Sequence, residues 1–285
     1  MKVEIEPGVR LWFDVEGLGL VPHGDTMRQR PTILLLHGGP GMDHSNFKPA
    51  FSALTDIGQV VYYDHRGQGR SDARTPAEWT LDTWADDVVR LCDALGIAHP
   101  VVIGNSFGGM VAMHYAARHP AHPAALVLSS TAARMDIPAM LAMFERLGGS
   151  TAADIARAFW TESSARYSRD YLSICGPLYT QSPGNLFDTA RVVRRQDVTT
   201  HFIEGEQRAM DLRGGLARIV CPTLVLAGEL DPVCPVSCAR EIAAHIPAPH
   251  VQLEVFEGCG HGVFRDDLER AFKVLSAFVA AQAAT

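Results

Sequence analysis

The sequence predicts an open, mostly parallel α/β sheet, covered by helices on both faces and interrupted by one helical insertion. Short continuous apolar runs, the mark of strands buried on both faces, recur at residues 32–36, 60–63, 101–103, 126–129, 223–227 and 251–256. Stretches with helical spacing lie between or after them, at 81–95, 108–118, 238–245 and 266–281. Strands alternating with helices build βαβ units, and hence a parallel sheet. The third observation is a gap. From 132 to 215 no buried strand is visible, and Ile137, Met140, Leu141 and Phe144 fall at helical spacing.

In order, residues 3–6 and 10–15 alternate in polarity around Pro7-Gly8, which reads as a hairpin. Residues 19–30 read as a loop, punctuated by Pro22, Gly24 and Asp25. The buried strands and their helices follow up to 131. The strand pattern resumes at Cys221-Pro222-Thr223. The expected division is a discontinuous core, 1–131 and 216–285, with a helical cap, 132–215, inserted into it.

Composition narrows the function. With 25 basic and 32 acidic side chains among 285 residues, the net charge is −7. Phosphate neutralisation needs clustered Lys and Arg, so nucleic acid is not the expected partner. No apolar run nears the roughly 18 residues of a membrane helix, and the first residues carry no apolar signal region. Six Cys in a chain this long are too sparse for a disulfide scaffold. The expectation is a cytoplasmic protein with reduced thiols that acts on a small-molecule substrate.

The chemistry centres on Gly104-Asn105-Ser106-Phe107-Gly108. It fits G-x-S-x-G, placed after a strand pattern and before a helical one, as that motif requires. The turn is tight enough to strain the serine backbone, and the two glycines remove side chains that would clash. The turn lifts the Ser106 oxygen above the sheet and aims the Phe107 N–H at a developing oxyanion.

Serine needs a base. Of twelve His, His261 is best placed, in Glu257-Gly258-Cys259-Gly260-His261-Gly262. That glycine-rich loop follows a strand, where α/β sheets place their chemistry. His37 leads His37-Gly38-Gly39-Pro40-Gly41, a run better suited to a backbone oxyanion site, with Gly39 as second donor. His114, His119 and His122, on or after the helix that Ser106 starts, read as structural. Asp231, after the strand at 223–227, is the favoured orienting acid, and Glu229 the alternative.

These residues together resemble the α/β-hydrolase superfamily over essentially the whole chain, with the order Ser106, Asp231, His261 matching its nucleophile, acid and base. His37-Gly38-Gly39-Pro40-Gly41, with Asp64-His65-Arg66-Gly67-Gln68-Gly69-Arg70-Ser71-Asp72 downstream, is similar to the prolyl iminopeptidase-type branch of serine hydrolases. The resemblance implies an α/β-hydrolase fold, a Ser106-His261-Asp231 triad, an oxyanion hole and a helical cap. It makes Asp64 and Arg66 structural supports. That branch carries Trp after the nucleophile, where this chain has Phe107. Its cap glutamates bind a substrate amine, where this chain has His201, with Glu204 and Glu206 nearby. The Gly-Asn-Ser elbow recurs in C–C bond hydrolases and small-ester hydrolases.

Further candidates are weaker. His201, Glu204 and Trp160 are expected to contact substrate. Phe159, Trp160, Tyr167, Tyr171, Tyr179 and Phe187 either line an apolar pocket or pack the cap. Arg191, Arg194 and Arg195 read as a solvated face before a carboxylate site. Cys234, Cys238, Cys259 and His261 have loose spacing for a metal, and none is expected. Cys259, two residues before His261, is expected to make activity thiol-sensitive. The expected function is hydrolysis of a small ester, lactone or amide through an acyl-enzyme, with no cofactor. A proline iminopeptidase, a C–C hydrolase and a non-catalytic receptor are the alternatives.

Overall fold

The computed structural model describes residues 1–182 and 189–282. Its strands are β1 (Lys2–Glu6), β2 (Val9–Glu16), β3 (Leu20–His23), β4 (Thr26–Gln29), β5 (Thr32–Leu36), β6 (Gln59–Tyr63), β7 (Val101–Asn105), β8 (Ala125–Ser129), β9 (Thr223–Gly228) and β10 (Val251–Phe256). Its α-helices are α1 (Leu81–Leu95), α2 (Phe107–Arg118), α3 (Ile137–Arg157), α4 (Ser164–Asp170), α5 (Gln196–Glu204), α6 (Glu206–Ala209), α7 (Arg213–Leu216), α8 (Val236–His245), α9 (Val263–Asp266) and α10 (Leu268–Gln282).

Eight strands form one sheet in the order β1-β2-β6-β5-β7-β8-β9-β10. β1 pairs antiparallel with β2, and β2 with β6; every later pairing is parallel. The two-residue period of a strand sends alternate side chains to opposite faces. Leu34, Leu36, Val61, Tyr63 and Val102 enter one core, with α1, α2 and α8 residues such as Trp84, Met113 and Ile242. Ile33, Leu35, Val60, Tyr62 and Ile103 enter the other, with Phe51 and the α10 residues Leu275 and Phe278. This arrangement is the α/β-hydrolase fold.

Capping residues set the helix ends. The Thr80 hydroxyl accepts from Thr83 N–H at 3.2 Å and starts α1, and Gly96, left-handed at φ 70°, ends it. Asp136 caps α3 by accepting from Ala139 N–H at 3.2 Å.

Two expectations need correction. Residues 19–30 are not a plain loop. β3 and β4 pair antiparallel, and His23 faces Thr26 across a turn at Gly24-Asp25. Those turn residues mark the hairpin's tip. The strands beside it are mostly exposed, so no buried apolar run signalled them. The final helix begins at Leu268 and not at Asp266, separated from the short turn α9 by Asp267, which leaves the helical conformation at φ −137°. The carboxylate before it, on Asp266, accepts from Gly260 N–H at 2.6 Å and ties the α9 turn to the loop ahead of it.

Among the described residues between β8 and β9 there is no strand. Helices and single π-helical turns at Ala158–Glu162 and Tyr171–Cys175 fill this stretch. Met140, Phe144, Phe159, Tyr171 and Cys175 form its core, which reaches the sheet through Ala132, Val233 and Cys234.

Candidate active site

β7 ends at Asn105 and α2 begins at Phe107, so Ser106 alone makes the turn. It does so at φ 54° and ψ −119°, a conformation that L residues rarely adopt. Close packing enforces it. A Cβ on Gly104 would come within 2.8 Å of the Gly109 Cα, and one on Gly108 would fall on the Leu36 and His37 carbonyls. Ser106 N–H donates to the Ser129 carbonyl at 2.9 Å, and the Thr131 hydroxyl donates to the Ser106 carbonyl at 2.8 Å. The Phe107 N–H belongs to the first turn of α2, where donors have no intrahelical acceptor.

The β10–α9 loop brings His261 to Ser106, with Nε2 3.0 Å from Oγ. Asp231, on the loop after β9, places both carboxylate oxygens 2.9 Å from His261 Nδ1. Its side chain is fully buried, and Oδ1 also accepts from the N–H groups of Val233 and Cys234, each at 2.8 Å. A carboxylate opposite Nδ1 makes that nitrogen the donor and leaves Nε2 to accept from the serine. Glu229 points elsewhere, accepting from Gly258 N–H at 3.0 Å.

The loop after β5 approaches from the other side. A Cβ on Gly38 would stand 3.3 Å from the Ser106 Cβ, so a side chain there would crowd the nucleophile. Gly39 follows at φ 136°, in glycine's territory. Three bonds pin this loop beyond Gly39. Gly41 N–H donates to Gln68 Oε1 at 2.7 Å, Arg195 N–H to the Gly41 carbonyl at 2.7 Å, and the Thr199 hydroxyl to the Pro40 carbonyl at 2.8 Å. Gly38, Asn46, Asn105 and His261 line a cavity of about 50 Å³ with Phe47, Phe51, Gly262, Phe264 and Arg265.

The downstream motif braces this loop. Asp64 is fully buried and accepts from His44 N–H at 3.0 Å, from His44 Nδ1 at 2.7 Å and from Arg70 N–H at 2.8 Å. Arg66 lays its guanidinium against Asp87 at 2.6 and 2.8 Å and Glu78 at 2.7 Å. Asp43, His44 and Asp64 bring ligand atoms within 4.8 Å of one another. Their atoms already serve Ser45, Arg70 and each other, so the cluster is a hydrogen-bonded brace.

The three residues expected at substrate make their contacts elsewhere. His201 is exposed and sets its ring edge-on to Trp79, centroids 5.7 Å apart. Glu204 accepts from the hydroxyls of Ser163 and Ser164, both at 3.1 Å, at the start of α4. Glu206 accepts from Leu81 N–H at 2.9 Å, at the first residue of α1. Trp160 lines a separate cavity of about 230 Å³ with Met135, Ile203, Gln207 and Met210. A helix-face pattern names which residues share a face, and the partner of that face is set by tertiary packing.

Phe159 stacks on Tyr171 at 4.0 Å, so much of the aromatic set packs the insertion on itself. Phe187 lies outside the described residues. Arg195 pairs with Asp197 at 2.9 Å, and Arg191 donates to the Lys48 carbonyl at 2.9 Å. All six cysteines are buried free thiols. Burial raises the Cys259 thiol to about 11.

Sequence reading missed Thr131, Asn46 and Thr199, and it placed Tyr179 in the aromatic set without its contact to His261. Thr131 follows a strand end, which is a usable signal. Thr199 and Tyr179 come from the insertion, where no local pattern marks them; Tyr179 sets its ring 5.1 Å from that of His261.

Comparison with known proteins shows the family. The alpha/beta hydrolase fold family model matches residues 31–268. RutD from Caulobacter sp. (strain K31), whose name gives carbamate hydrolysis as a provisional activity, is 30% identical over 252 residues, covering 87% of this chain and 90% of RutD. The proline iminopeptidase PfmaB from Pestalotiopsis fici is 28% identical, covering 82% of this chain and 86% of its own. The crystal structure of a proline iminopeptidase from Mycobacterium smegmatis superposes with a TM-score of 0.77 at 24% identity, covering 100% and 98% of the two chains. No helix among the described residues is long and apolar enough to cross a membrane.

Proposed function

The chain belongs to the alpha/beta hydrolase fold family of enzymes, and from that premise we propose that it is a serine hydrolase of small-molecule esters, lactones or amides. One observation carries the reading: Ser106 Oγ, His261 Nε2 and Asp231 form a continuous hydrogen-bonded line at 3.0 and 2.9 Å. In this reading Ser106 attacks the substrate carbonyl while His261 Nε2 takes its proton. The N–H groups of Phe107 and Gly39 hold the oxyanion. His261 returns the proton to the leaving group, and Asp231 keeps the ring in its tautomer and stabilises the imidazolium. Water, deprotonated by His261, then releases the acyl group from Ser106.

The ester, lactone or amide ranks ahead of an N-terminal proline peptide. A buried ammonium needs carboxylates to compensate it. Glu204 is engaged with Ser163 and Ser164, and Glu206 with Leu81 N–H. The name of RutD supports the same ranking, because a carbamate joins an ester-like and an amide-like bond at one carbonyl. The second reading is the proline iminopeptidase, favoured by the name of PfmaB. A panel of p-nitrophenyl acetate, an aryl lactone and proline p-nitroanilide separates them. Faster turnover of the proline anilide reverses the ranking.

A further inference from the structure

The stretch between β8 and β9 touches the base. His261 N–H donates to the Tyr179 carbonyl at 2.8 Å. The Tyr179 ring meets the imidazole at 73°, with centroids 5.1 Å apart. The phenol is anchored in turn. Its oxygen lies 2.7 Å from that of Tyr171, which accepts from Trp160 Nε1 at 3.0 Å. Phe159 stacks on Tyr171, so the anchor is a packed aromatic group.

Asp266 closes the same arrangement from the core side. One oxygen accepts from Gly260 N–H at 2.6 Å, the residue before the base, and from Gln181 N–H at 3.0 Å. The other accepts from the Thr180 hydroxyl and from Ser182 N–H at 3.4 Å. The Asp266 carbonyl accepts from the Ser182 hydroxyl at 3.0 Å. A Cβ on Gly260 would stand 2.5 Å from the Tyr179 carbonyl, so the two segments lie in contact. A single carboxylate therefore ties residues 180–182 to the loop that carries His261.

The geometry points to Tyr179 and Asp266 as positioning residues for the catalytic base. Asp231 fixes the imidazole from the core at Nδ1. Tyr179 fixes its plane and its backbone from the insertion, and Asp266 holds the two segments in register. The consequence is that the insertion forms part of the catalytic apparatus, whatever substrate it also selects. This inference rests on the hydrolase reading for its kinetic consequence alone. The positioning itself has an independent spectroscopic readout, the low-field proton resonance of His261 Nδ1–H against Asp231.

The test uses the full chain carrying Tyr179→Ala, Tyr179→Phe or Asp266→Asn, each checked for folding by its melting temperature. Tyr179→Ala removes the ring and keeps the carbonyl. Asp266→Asn sets an amide N–H₂ against donors that need an acceptor. Displacing a catalytic group by about 1 Å costs on the order of 100-fold. The expected result for Tyr179→Ala and Asp266→Asn is a kcat on p-nitrophenyl acetate about 10- to 100-fold lower, with KM within about threefold, and a broadened or missing low-field resonance. Tyr179→Phe keeps the ring and restores most of the loss. Folded Tyr179→Ala and Asp266→Asn variants with unchanged kcat and an unchanged resonance overturn the inference. If Tyr179→Ala fails to fold, Asp266→Asn decides it by the same criteria. If wild type neither turns over the ester nor reacts at Ser106, the hydrolase reading fails, and the resonance alone decides the positioning.

Discussion

The imidazole Nε2 of His37 accepts the backbone N–H of His65 at 3.2 Å. An accepting Nε2 puts the proton on Nδ1, which then donates to the Gly38 carbonyl at 2.7 Å. One neutral histidine thus joins the loop after β6 to the loop beside Ser106. His65 is equally buried, edge-on to both His37 and Phe107. Burial holds both imidazoles below the usual histidine range.

Stability is expected to fall on the acid side. Both histidines are neutral in the fold, while the unfolded chain protonates them near pH 6.5. Above that pH their contribution is fully present. Below it the unfolded state binds more protons, and stability declines until the folded imidazoles themselves protonate. Each contributes about 1.4 kcal/mol per pH unit through that window. Denaturant melts between pH 8 and pH 5 measure it, and His65→Gln should flatten the slope. An equal slope in the variant contradicts the assignment.

The triad sets a hierarchy of losses. Ser106→Ala and His261→Ala should each lower kcat on the order of 10³-fold or more. Asp231→Asn should fall by a similar order, because an amide cannot enforce the tautomer. Glu229→Gln should stay within about threefold, since Glu229 bonds Gly258 N–H and does not reach the imidazole. Steady-state rates on one ester decide it. Near-full activity in Asp231→Asn would move the orienting role to Glu229.

Thiol chemistry should spare the native enzyme. Cys259 is 4% exposed, and burial pushes its thiol up to about 11, so little reactive thiolate forms at neutral pH. This revises the thiol sensitivity expected from its position beside His261. Iodoacetamide at pH 7.5 should leave the rate unchanged and modify Cys259 only in denaturant. Rapid inactivation tracking Cys259 alkylation contradicts the buried placement.

Arg66 should matter for stability. Its side chain is 3% exposed and that of Asp87 is 2% exposed. Removing one partner of a buried pair strands the other charge, at a cost of about 3–5 kcal/mol. Arg90 still reaches Asp87 at 2.9 Å, so Arg66→Met should lower the unfolding free energy by up to about that amount. A loss under 1 kcal/mol in chemical denaturation contradicts it.

The parts that could be read from the sequence are those whose physics is local. The apolar runs of β5, β7 and β9 declare strands buried on both faces, and Gly104 and Gly108 announce the turn that Ser106 makes. His261 and Asp231 follow from their places after strands. His201, Glu204 and Trp160 show the opposite case. The resemblance and the aromatic composition suggest them, but Trp79, Ser163 and Tyr171 supply their contacts. Tyr179 lies 82 residues before His261 in sequence and touches it only because the insertion folds back over the loop. The ribbon of β3 and β4 escaped for another reason, since exposed strands leave no apolar alternation to read.

Covalent labelling reads the nucleophilicity of Ser106 itself. The intact protein is treated with a fluorophosphonate, digested, and its peptides mapped by mass. One modification per chain is expected, on Ser106, lost on prior unfolding and strongly slowed in His261→Ala. A folded protein that takes no label at Ser106, or takes it elsewhere, contradicts the account.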